Sequence, residues 1–593
     1  MKLAIIGNCA YQALIDDRAR VRWLCWPRFD SSFVFGSLLD ETRGGHCSVS
    51  PDVGPDGDDY VTEQAYLPNT NILRTIFRSS SGSFEVTDFA PRYLQHDRSF
   101  KPTMLMRRIR RLSGDPRVCV RVEPVYDYGE VVPQSYTASN HIQWNIPGGP
   151  LRLTTNVPLT YISEARSFVL ERDTYVSLAW GSPLEAPLAE TYERFFVATR
   201  KYWHSWVKHT TIPGCFQKEV IRSALALKLH QYEDTGAITA AATTSIPEEE
   251  GSGRNWDYRY CWLRDSYFTF RAMGRLGQFE ELEGFVGFLK NIAHASPDRI
   301  QPMFAISGES KLTEKSLDHL DGYLGNGPVR VGNAAYKQLQ HDVYGEMMAA
   351  IAPLFLDARF DDPCHQQAAD LVRRLLVRIE STMNQPDAGL WEYRGNQLVH
   401  TFSLLMHWTG SELASRIGAR IGDDKLQARG QQLSRAARQI IESQCWQPDA
   451  GFYGDSTATG DPDASLFMMV NLGYLDPTSE RAESHVRALA KRLMIRDPLM
   501  HRYVHEDDFG RSRSTFTACG FWYAEALARL GHKDEAEAAC RKLVSYANHV
   551  GLLSEDVDPK TGEQWGNFPQ TYSHVGLINT AFAIRQMADD LGD

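Results

Sequence analysis

The sequence lacks any apolar run of about 18 residues, which is the length that a membrane-spanning helix requires. Its opening run, residues 1–8, is too short for the apolar part of a secretory signal. The 10 cysteines lie at irregular spacings without paired C-x-x-C sets, which indicates reduced thiols rather than a disulfide framework or a zinc site. These absences predict a cytoplasmic protein without a membrane partner.

Positive charge is also scarce in this chain. The formal net charge is −11, and the densest basic cluster is Arg107–Arg111. Its charges alternate along a predicted strand, so we expect a solvated sheet face rather than a nucleic-acid surface. There is also no Ser-His-Asp string, no Gly-rich phosphate loop and no cluster with metal-ligand spacing. The sequence therefore predicts no nucleic-acid partner and no organic cofactor, and it neither requires nor excludes a metal.

The first third of the chain has the pattern of strands. A chain of 593 residues predicts two or more domains. Residues 1–185 contain short alternating runs between turn residues, which predicts an antiparallel β-sandwich. The clearest strands are Thr103–Arg111, Arg117–Val125, His141–Ile146 and Leu151–Asn156. Residues 186–214 have helical periodicity that stops at a Pro-Gly pair, which predicts a helical linker.

Residues 215–593 have helical periodicity almost throughout. We count about twelve candidate helices, with apolar residues at i, i+3 and i+4. They are centred near residues 225, 270, 287, 345, 374, 410, 433, 468, 486, 523, 541 and 581. Alternate loops are long and carry Gly, Pro, Trp and Asp, so the pattern indicates an (α/α)6 barrel with functional loops at one end.

The segment Arg254–Asp265 concentrates aromatic rings, arginines and acids in the sequence RNWDYRYCWLRD. Aromatic faces stack on the apolar side of a sugar ring, while arginine and aspartate form directed hydrogen bonds to its hydroxyls. On composition alone, a buried salt bridge with aromatic packing explains the segment about equally well.

The ordered string resembles the first active-site segment of glycoside hydrolase family 15, the family of glucoamylases and bacterial trehalases. The resemblance implies that Arg264 and Asp265 hold hydroxyls of the non-reducing glucosyl unit, and that Tyr258 and Trp262 form walls of the pocket. Short segments near the N-terminus also resemble bacterial members of this family.

Hydrolysis of a glycosidic bond requires one carboxylic acid and one carboxylate. Glu392 follows Trp391 in a Gly-marked loop, where partial loss of water would keep the carboxyl protonated. A surface glutamate beside a packed tryptophan is the simpler interpretation of a lone Trp-Glu pair. However, the string GLWEYR resembles the general-acid segment of the family. The resemblance implies that Glu392 is the acid, that Trp391 binds substrate, and that Arg394 orients the acid or contacts substrate.

The general base is expected near the C-terminus. The acidic loop around Glu555 and the later Gly-Asn-Phe-Pro segment would each be assigned to a turn if they stood alone. As an ordered pair, GLLSE and GNFPQ resemble the general-base segment and its supporting loop. This resemblance makes Glu555 the base that activates water, with Asp556 and Asp558 as turn or supporting residues.

Further family-like segments lie between the two glutamates. The string PVRVGNAA resembles a site segment, which implies that Arg330 lines the pocket and that Asn333 begins a helix as its N-cap. Arg502 is a candidate ligand for a sugar hydroxyl. Leu324 and Leu404 depart from the family pattern, and we expect both to border the leaving-group side. The acids and the glutamine at 340, 342 and 346 are expected between barrel helices.

The sequence predicts an exo-acting, inverting α-glucoside hydrolase. It favours an α-1,4-glucan or maltooligosaccharide as substrate, from which β-glucose leaves the non-reducing end; α,α-trehalose is the alternative. Inversion follows from the resemblance, because the separation of the carboxyls, roughly 6.5–9.5 Å in inverting enzymes, is not encoded locally. A disaccharide phosphorylase and a non-catalytic carbohydrate-binding protein are the less favoured alternatives. Oligomeric state is not indicated.

Overall fold

The computed structural model describes residues 1–52, 60–181, 183–296, 299–360 and 365–591. Strands dominate up to residue 180, and helices dominate from residue 188 onward. None of the helices in these ranges is long and apolar enough to cross a membrane. The chain is therefore an antiparallel sheet domain followed by a helical domain.

The N-terminal domain consists of antiparallel sheets that share one core. An eight-stranded sheet has the order Ser135–Thr137, His141–Ile146, Gly149–Thr155, Thr174–Trp180, Met104–Gly114, Gly82–Phe89, Leu73–Arg78 and Val61–Tyr66. The other sheets are formed by Leu3–Gly7, Gln12–Asp16, Val21–Cys25 and Phe33–Phe35, by Phe168–Val169, Arg117–Glu123 and His46–Pro51, and by Arg98–Phe100 with Tyr93–Gln95. The four strands that alternation predicted are confirmed.

The arginine run on the central strand is not a solvated face throughout. Arg107 is only 1% exposed. Its guanidinium donates to Asp88 Oδ1 at 2.6 Å and to the carbonyl of Ala19 at 2.6 Å, which joins the eight-stranded sheet to the four-stranded one. The expectation of a solvated face was wrong for Arg107. Every second residue of a strand points into the sandwich, and a charged residue at such a position must be paired.

A long amphipathic helix, Leu188–Lys208, connects the two domains. It is buried along one face through Tyr192, Phe195, Trp203 and Trp206, so it packs on the protein instead of crossing solvent. The division expected at residues 185 and 214 stays a prediction; the last strand of the sandwich and the first barrel helix flank it.

In the described part of the helical domain, eleven of the twelve predicted centres fall in helices of at least ten residues, and the centre near 468 falls where the turn Ala464–Phe467 continues into the four-residue helix Met468–Asn471. These twelve helices are numbered in chain order. They are α1 Gln217–His230, α2 Leu263–Arg275, α3 Phe279–Ala295, α4 Asp342–Ile351, α5 His365–Thr382, α6 Thr401–Ile421, α7 Asp424–Ile440, α8 Met468–Asn471, α9 Glu480–Leu493, α10 Thr517–Arg529, α11 Lys533–Val544 and α12 Thr571–Leu591. Shorter helical turns are Leu159–Ser163, Ala334–Lys337, Pro353–Leu356, Ile441–Cys445 and Ala464–Phe467.

The even-numbered helices form a closed inner ring. Neighbouring contacts run from α2 to α4, from α4 to α6, from α6 through the turn Ala464–Phe467 and α8 to α10, then to α12 and back to α2. The odd-numbered helices lie outside this ring, which is the (α/α)6 barrel that the sequence predicted. Most of the inner helices are buried on nearly every side, which explains their weak amphipathicity compared with α5 or α9.

Short two-residue strands brace the loops at one end of the barrel. They are Gln231–Tyr232, Ala237–Ile238, Cys261–Trp262, Met303–Phe304, Lys315–Ser316, Arg330–Val331, Trp446–Gln447, Phe452–Tyr453, Leu499–Met500, Thr515–Phe516, Asp556–Val557 and Gln564–Trp565, with the three-residue strand Met494–Arg496. Two of them, Cys261–Trp262 and Thr515–Phe516, lead directly into the N-terminus of an inner helix, so the first residues of α2 and α10 lie at this end.

The sandwich contacts the Arg254–Asp265 segment from behind. Arg259 is almost completely buried, and its guanidinium donates to the carbonyl of Ser31 at 2.8 Å and to Tyr128 Oη at 3.1 Å. Asp257 holds the same guanidinium at 2.7 Å. The N-terminal domain therefore helps to fix the backbone that carries Tyr258 and Trp262.

Candidate active site

A cavity opens at the end of the barrel where the inner helices begin. It is lined by residues from most of the long loops: Ala240, Glu248, Arg254, Trp256, Tyr258, Trp262, Arg264, Asp265, Asn333, Ala335, Gln338, Leu390, Trp391, Glu392, Tyr393, Arg394, Arg502, Tyr503, Asp507, Asp508, Phe509, Phe516, Trp522, Glu555, Gln570 and Tyr572. The positive ends of the inner-helix dipoles also point toward this end, which favours bound oxygen atoms that carry negative charge.

Glu392 lies on the loop between α5 and α6, in a left-handed backbone conformation with φ of 63°. Asp387 shapes this loop by accepting a hydrogen bond from the Gly389 backbone N–H at 3.2 Å. Gly389 also has a positive φ, and a Cβ there would approach the ring of His400 to 2.7 Å. The string GLWEYR thus needs glycine at 389 to turn the chain and present Glu392 to the cavity.

Three donors converge on one oxygen of Glu392. Oε1 accepts hydrogen bonds from Trp262 Nε1 at 2.6 Å, from Arg264 Nη2 at 3.1 Å and from Gln340 Nε2 at 3.2 Å. No hydrogen bond within the described part of the chain uses Oε2, and the side chain is 23% exposed. One oxygen is therefore anchored while the other is left to the cavity.

Glu555 is held much more tightly than Glu392. Its Oε1 accepts from Tyr258 Oη at 2.9 Å and from Arg502 Nη2 at 3.1 Å, and its Oε2 accepts from the Asn567 backbone N–H at 3.0 Å. Burial raises the pKa of this carboxyl to about 7, although the Arg502 charge and these hydrogen bonds lower it. The short strand that begins at Asp556 fixes its backbone.

The first turn of α2 contributes a second pair of polar groups. The Arg264 guanidinium also donates to Gln340 Oε1 at 2.6 Å. Asp265 lines the cavity, and no described side chain donates to its carboxylate. Burial raises the pKa of Asp265 to about 7, against the charge of Arg264. Such an unshared oxygen pair beside a fixed cation can bind the hydroxyls of a sugar ring.

Aromatic rings form the walls between these polar groups. The rings of Tyr258 and Trp262 meet edge to face with centroids 5.3 Å apart, and Trp391 meets Phe516 in the same way at 5.8 Å. The Trp391 indole N–H donates to Asp463 Oδ2 at 2.8 Å, which fixes that ring beside Glu392. The cavity can therefore stack on a sugar from two sides.

The mouth of the cavity is bridged by the loop tip Asp507–Gly510. Arg254 pairs with both oxygens of Asp507 at 2.5 Å. Asp508 Oδ2 accepts from the Arg394 backbone N–H at 2.6 Å, and Phe509 meets the Trp256 ring edge to face at 5.3 Å. These contacts join three loops around the entrance.

Most of the site residues predicted from sequence lie together in this cavity. Tyr258, Trp262, Arg264, Asp265, Trp391, Glu392, Arg394, Arg502 and Glu555 all line it. Arg330 does not: its guanidinium donates to the carbonyls of Gly253 and Asn255 and lies 4.7 Å from the Trp256 ring centroid. It supports the wall instead of forming it. Arg394 lies at the rim, with an ion pair to Glu314 at 2.9 Å.

Leu324 and Leu404, which depart from the family pattern, do not line the cavity, so the expectation that they border the leaving-group side was wrong. Leu324 is 74% exposed on a turn, and Leu404 is fully buried in α6. Neither belongs to the residues that line the site. Asn333 does cap a short helix, because its Oδ1 accepts from the Ala335 backbone N–H at 2.9 Å.

Several lining residues carry no local sequence signal. Glu248 comes from a Pro-Glu-Glu-Glu turn, and Trp522 comes from the interior of α10. A tryptophan inside a helix usually belongs to the core, and a run of three glutamates usually indicates a solvated turn. Away from the cavity, ligand atoms of Asp455, Asp461 and His505 lie within 4.8 Å of one another.

Comparisons with known proteins agree with this geometry. A model of glycosyl hydrolases family 15 matches residues 214–582, and a trehalase-like N-terminal model matches residues 1–174. The chain is 33% identical to a trehalase of Mycolicibacterium smegmatis, over 98% of this chain and 90% of that protein. It is 31% identical to a trehalase of Mycobacterium tuberculosis, over 98% of this chain and 89% of that protein.

A solved structure shares the whole architecture. The crystal structure of a bacterial glucoamylase complexed with acarbose superposes with a TM-score of 0.70 at 13% identity, covering 98% of this chain and 93% of that one. At this identity the likeness concerns the fold, and it supports the pairing of an N-terminal sandwich with an (α/α)6 barrel.

Proposed function

Because the chain belongs to glycosyl hydrolases family 15 and is a glycoside hydrolase, we propose that it hydrolyses α,α-trehalose to two molecules of glucose. Glu392 acts as the general acid and Glu555 as the general base. The observation that carries the proposal is one cavity with two differently held glutamates and aromatic walls, in a chain whose full-length relatives are named trehalases.

In this reaction Glu392 gives its proton to the oxygen that joins the two glucosyl units. Glu555 takes a proton from a water molecule, whose oxygen bonds to the anomeric carbon as the C–O bond breaks. The Oε2 atom of Glu392 is the donor position, since Oε1 is occupied by three hydrogen bonds. The proton returns from Glu555 to Glu392 through water before the next turnover.

The deep part of the cavity binds the glucosyl unit whose anomeric carbon is attacked by water. Asp265 accepts hydrogen bonds from ring hydroxyls and Arg264 donates to them, while Trp262 and Trp391 contact the ring faces. Arg502 orients Glu555 by its 3.1 Å hydrogen bond. Arg502 is therefore proposed to have two roles: it orients the base, and it binds a sugar hydroxyl as expected from the sequence.

We propose trehalose and not a glucan as the substrate for two reasons. Six matching relatives, 27–33% identical over at least 95% of this chain, are named trehalases. The bridged mouth formed by Asp507–Gly510 also suits a short leaving group better than a glucan chain. Glucoamylase action, which the sequence favoured, is now the second candidate, and the likeness to a glucoamylase structure supports only the shared fold.

Proton NMR of the first minutes of hydrolysis tests both substrate and stereochemistry. Purified enzyme would be given trehalose, maltose, maltotetraose and isomaltose in separate samples. Inverting hydrolysis of trehalose releases one α-glucose and one β-glucose per turnover, whereas retention releases only α-glucose. We expect equal anomers from trehalose and a kcat/KM at least tenfold above that for maltotetraose.

The other outcomes are equally informative. A higher kcat/KM for maltotetraose, with β-glucose as product, would move the assignment to a glucoamylase. Release of α-glucose alone from trehalose would contradict the inverting mechanism. Absence of hydrolysis of all four sugars would contradict the proposed substrate class.

A further inference from the structure

Glu248 is a buried acid at the cavity that neither the sequence motifs nor the proposed reaction uses. Its side chain is 5% exposed and lines the cavity next to the proposed base. Oε2 accepts a hydrogen bond from Arg502 Nη1 at 2.6 Å. Glu555 is 3.1 Å from the other terminal nitrogen of the same guanidinium. The shorter contact of this arginine therefore goes to Glu248 and not to the base.

Three buried carboxyl groups share this one guanidinium. Arg502 contacts Glu248, Glu555 and, at 3.4 Å, Asp556 Oδ2. Arg254 also attracts the charge of Glu248, but it donates hydrogen bonds to Asp507. The three buried acids of the cluster therefore depend mainly on the single charge of Arg502. Burial first, and then the neighbouring like charges, raise the pKa values of Glu555 and Asp556 in this cluster.

Asp556 differs from the two glutamates in its contacts. Burial raises the pKa of Asp556 well above its ordinary value, and its Oδ1 is bonded to Ser514 Oγ at 3.0 Å. With Asp556 neutral, Glu248 and Glu555 divide the charge of Arg502 between them. The negative charge of Glu248 raises the pKa of Glu555, while Arg502 lowers it.

The remaining groups around Glu555 do not depend on Glu248. Tyr258 Oη and the Asn567 backbone N–H both donate to its oxygens, which lowers the pKa of Glu555. Tyr258 and the nearby Cys519 of α10 both stay neutral, since burial raises the pKa of each well above its ordinary value. Glu248 is thus the charged neighbour that can be changed without removing a direct ligand of the base.

We infer that Glu248 is a positioning residue for hydrolysis: it competes with Glu555 for Arg502 and so raises the pH at which Glu555 becomes an active base. The inference rests on the proposed role of Glu555. It predicts that the enzyme works best at a higher pH than the same site would without Glu248.

The test is the pH dependence of kcat/KM in the Glu248→Gln variant, with trehalose as substrate. Glutamine keeps an oxygen for Arg502 but removes the charge, and it leaves more of the guanidinium charge to Glu555. Both effects favour the ionised form of Glu555. The acidic limb of the kcat/KM profile, where activity rises as the base loses its proton, should therefore move down by about one pH unit. A matched control is Glu249→Gln, whose side chain contacts the Arg513 backbone and lies outside the cavity. Its limb should coincide with that of the unsubstituted enzyme.

Two results would overturn the inference: an acidic limb that stays in place in Glu248→Gln, or one that moves to higher pH. If Glu248→Gln has too little activity for a pH profile, the melting temperatures of Glu248→Gln and Glu249→Gln at pH 5.5 and pH 8.0 would test the inference instead. A carboxyl whose pKa is raised on folding stabilises the protein at low pH and loses that contribution as pH rises through its folded value. The fall in melting temperature should then be smaller in Glu248→Gln than in Glu249→Gln, and an equal fall would contradict the inference.

Failure of the proposed function would look different. If Glu555→Gln retains most of its activity on trehalose, the role of the base is wrong whatever Glu248 does. If Glu555→Gln is inactive and the acidic limb of Glu248→Gln does not move, the proposed function stands and the inference about Glu248 is wrong.

Discussion

The acid side and the base side of the cavity hold their glutamates in opposite ways. Glu392 is on a left-handed turn, is partly exposed and, among the described residues, has donors to only one of its two carboxyl oxygens. Glu555 directly precedes a braced strand, is buried and has both oxygens bonded. A group that must give a proton to a bulky leaving sugar needs an open oxygen. A group that must aim one small water molecule needs a fixed position.

The largest expected effect comes from removing each carboxyl in turn. Glu392→Gln and Glu555→Gln should each lower kcat for trehalose by about 10³-fold, since general acid and base catalysis typically contribute 10²–10⁴. The two variants should differ in their rates of α-glucosyl fluoride hydrolysis, because fluoride leaves without protonation. Fluoride release should recover to within about tenfold of the unsubstituted rate only in Glu392→Gln. Recovery in Glu555→Gln instead would reverse the two assignments.

Tyr258→Phe should have the next largest effect. It removes a 2.9 Å hydrogen bond from buried Glu555, and loss of a bond to a charged group costs about 1.5–3 kcal/mol, which corresponds to roughly thirtyfold in kcat. Because this hydrogen bond lowers the pKa of Glu555, its loss raises that pKa. The acidic limb of the pH profile should therefore move to higher pH, opposite to Glu248→Gln. A limb that moves the same way in both variants would contradict the assignment of the limb to Glu555.

Trp262→Phe is the matching change on the acid side. It removes the 2.6 Å donor to Glu392 but leaves Arg264 and Gln340 on the same oxygen. We expect kcat to fall by only about fivefold, since two donors still anchor the carboxyl. The acidic limb, which belongs to the base, should not move. A shifted limb would show that the acid side and the base side are coupled and do not act independently.

The smallest effect is expected at the mouth. Phe509→Ala removes the ring that packs on Trp256 and loosens the Asp507–Gly510 tip. The kcat/KM for trehalose should fall by about threefold, consistent with loss of one partly exposed aromatic contact. The value for maltotetraose should rise relative to it. Glu506→Ala, an exposed neighbour on the same loop, serves as the control and should change neither ratio. Equal losses for both sugars would mean that the tip does not select by length.

Sequence patterns predicted those features that depend on residues close together in the chain. Helical periodicity marked the outer helices most clearly, because each packs one face inward at a period of 3.6 residues, while the inner helices were recognisable by their long apolar runs. The ordered strings around Tyr258, Glu392 and Glu555 combine backbone turns with reactive side chains, as at Gly389 beside the Glu392 turn. Their resemblance to family segments is what led to Glu392 and Glu555, and both lie in one cavity, while their catalytic roles stay a prediction.

Local patterns failed where a neighbour from another element decides the environment. Arg107 has the alternation of a surface residue, but it is buried against Asp88 from an adjacent strand and Ala19 from a turn of another sheet. Arg330 belongs to a site-like string, yet backbone carbonyls of residues 253 and 255 occupy its guanidinium. Leu404 was assigned to the leaving-group side and is a core residue of α6.

The order of the domains and the positions of the barrel helices could be predicted from the sequence, because both depend on residues that are close together in the chain. The two glutamates were proposed from the sequence through the resemblance of their segments to the family. How those glutamates are held depends on contacts between distant parts of the chain. Glu248 and Glu555 are more than 300 positions apart in the chain, and they interact only because the barrel closes and brings Arg502 between them. Charge acts through space, so the balance of that cluster is a property of the closed ring and not of any one segment.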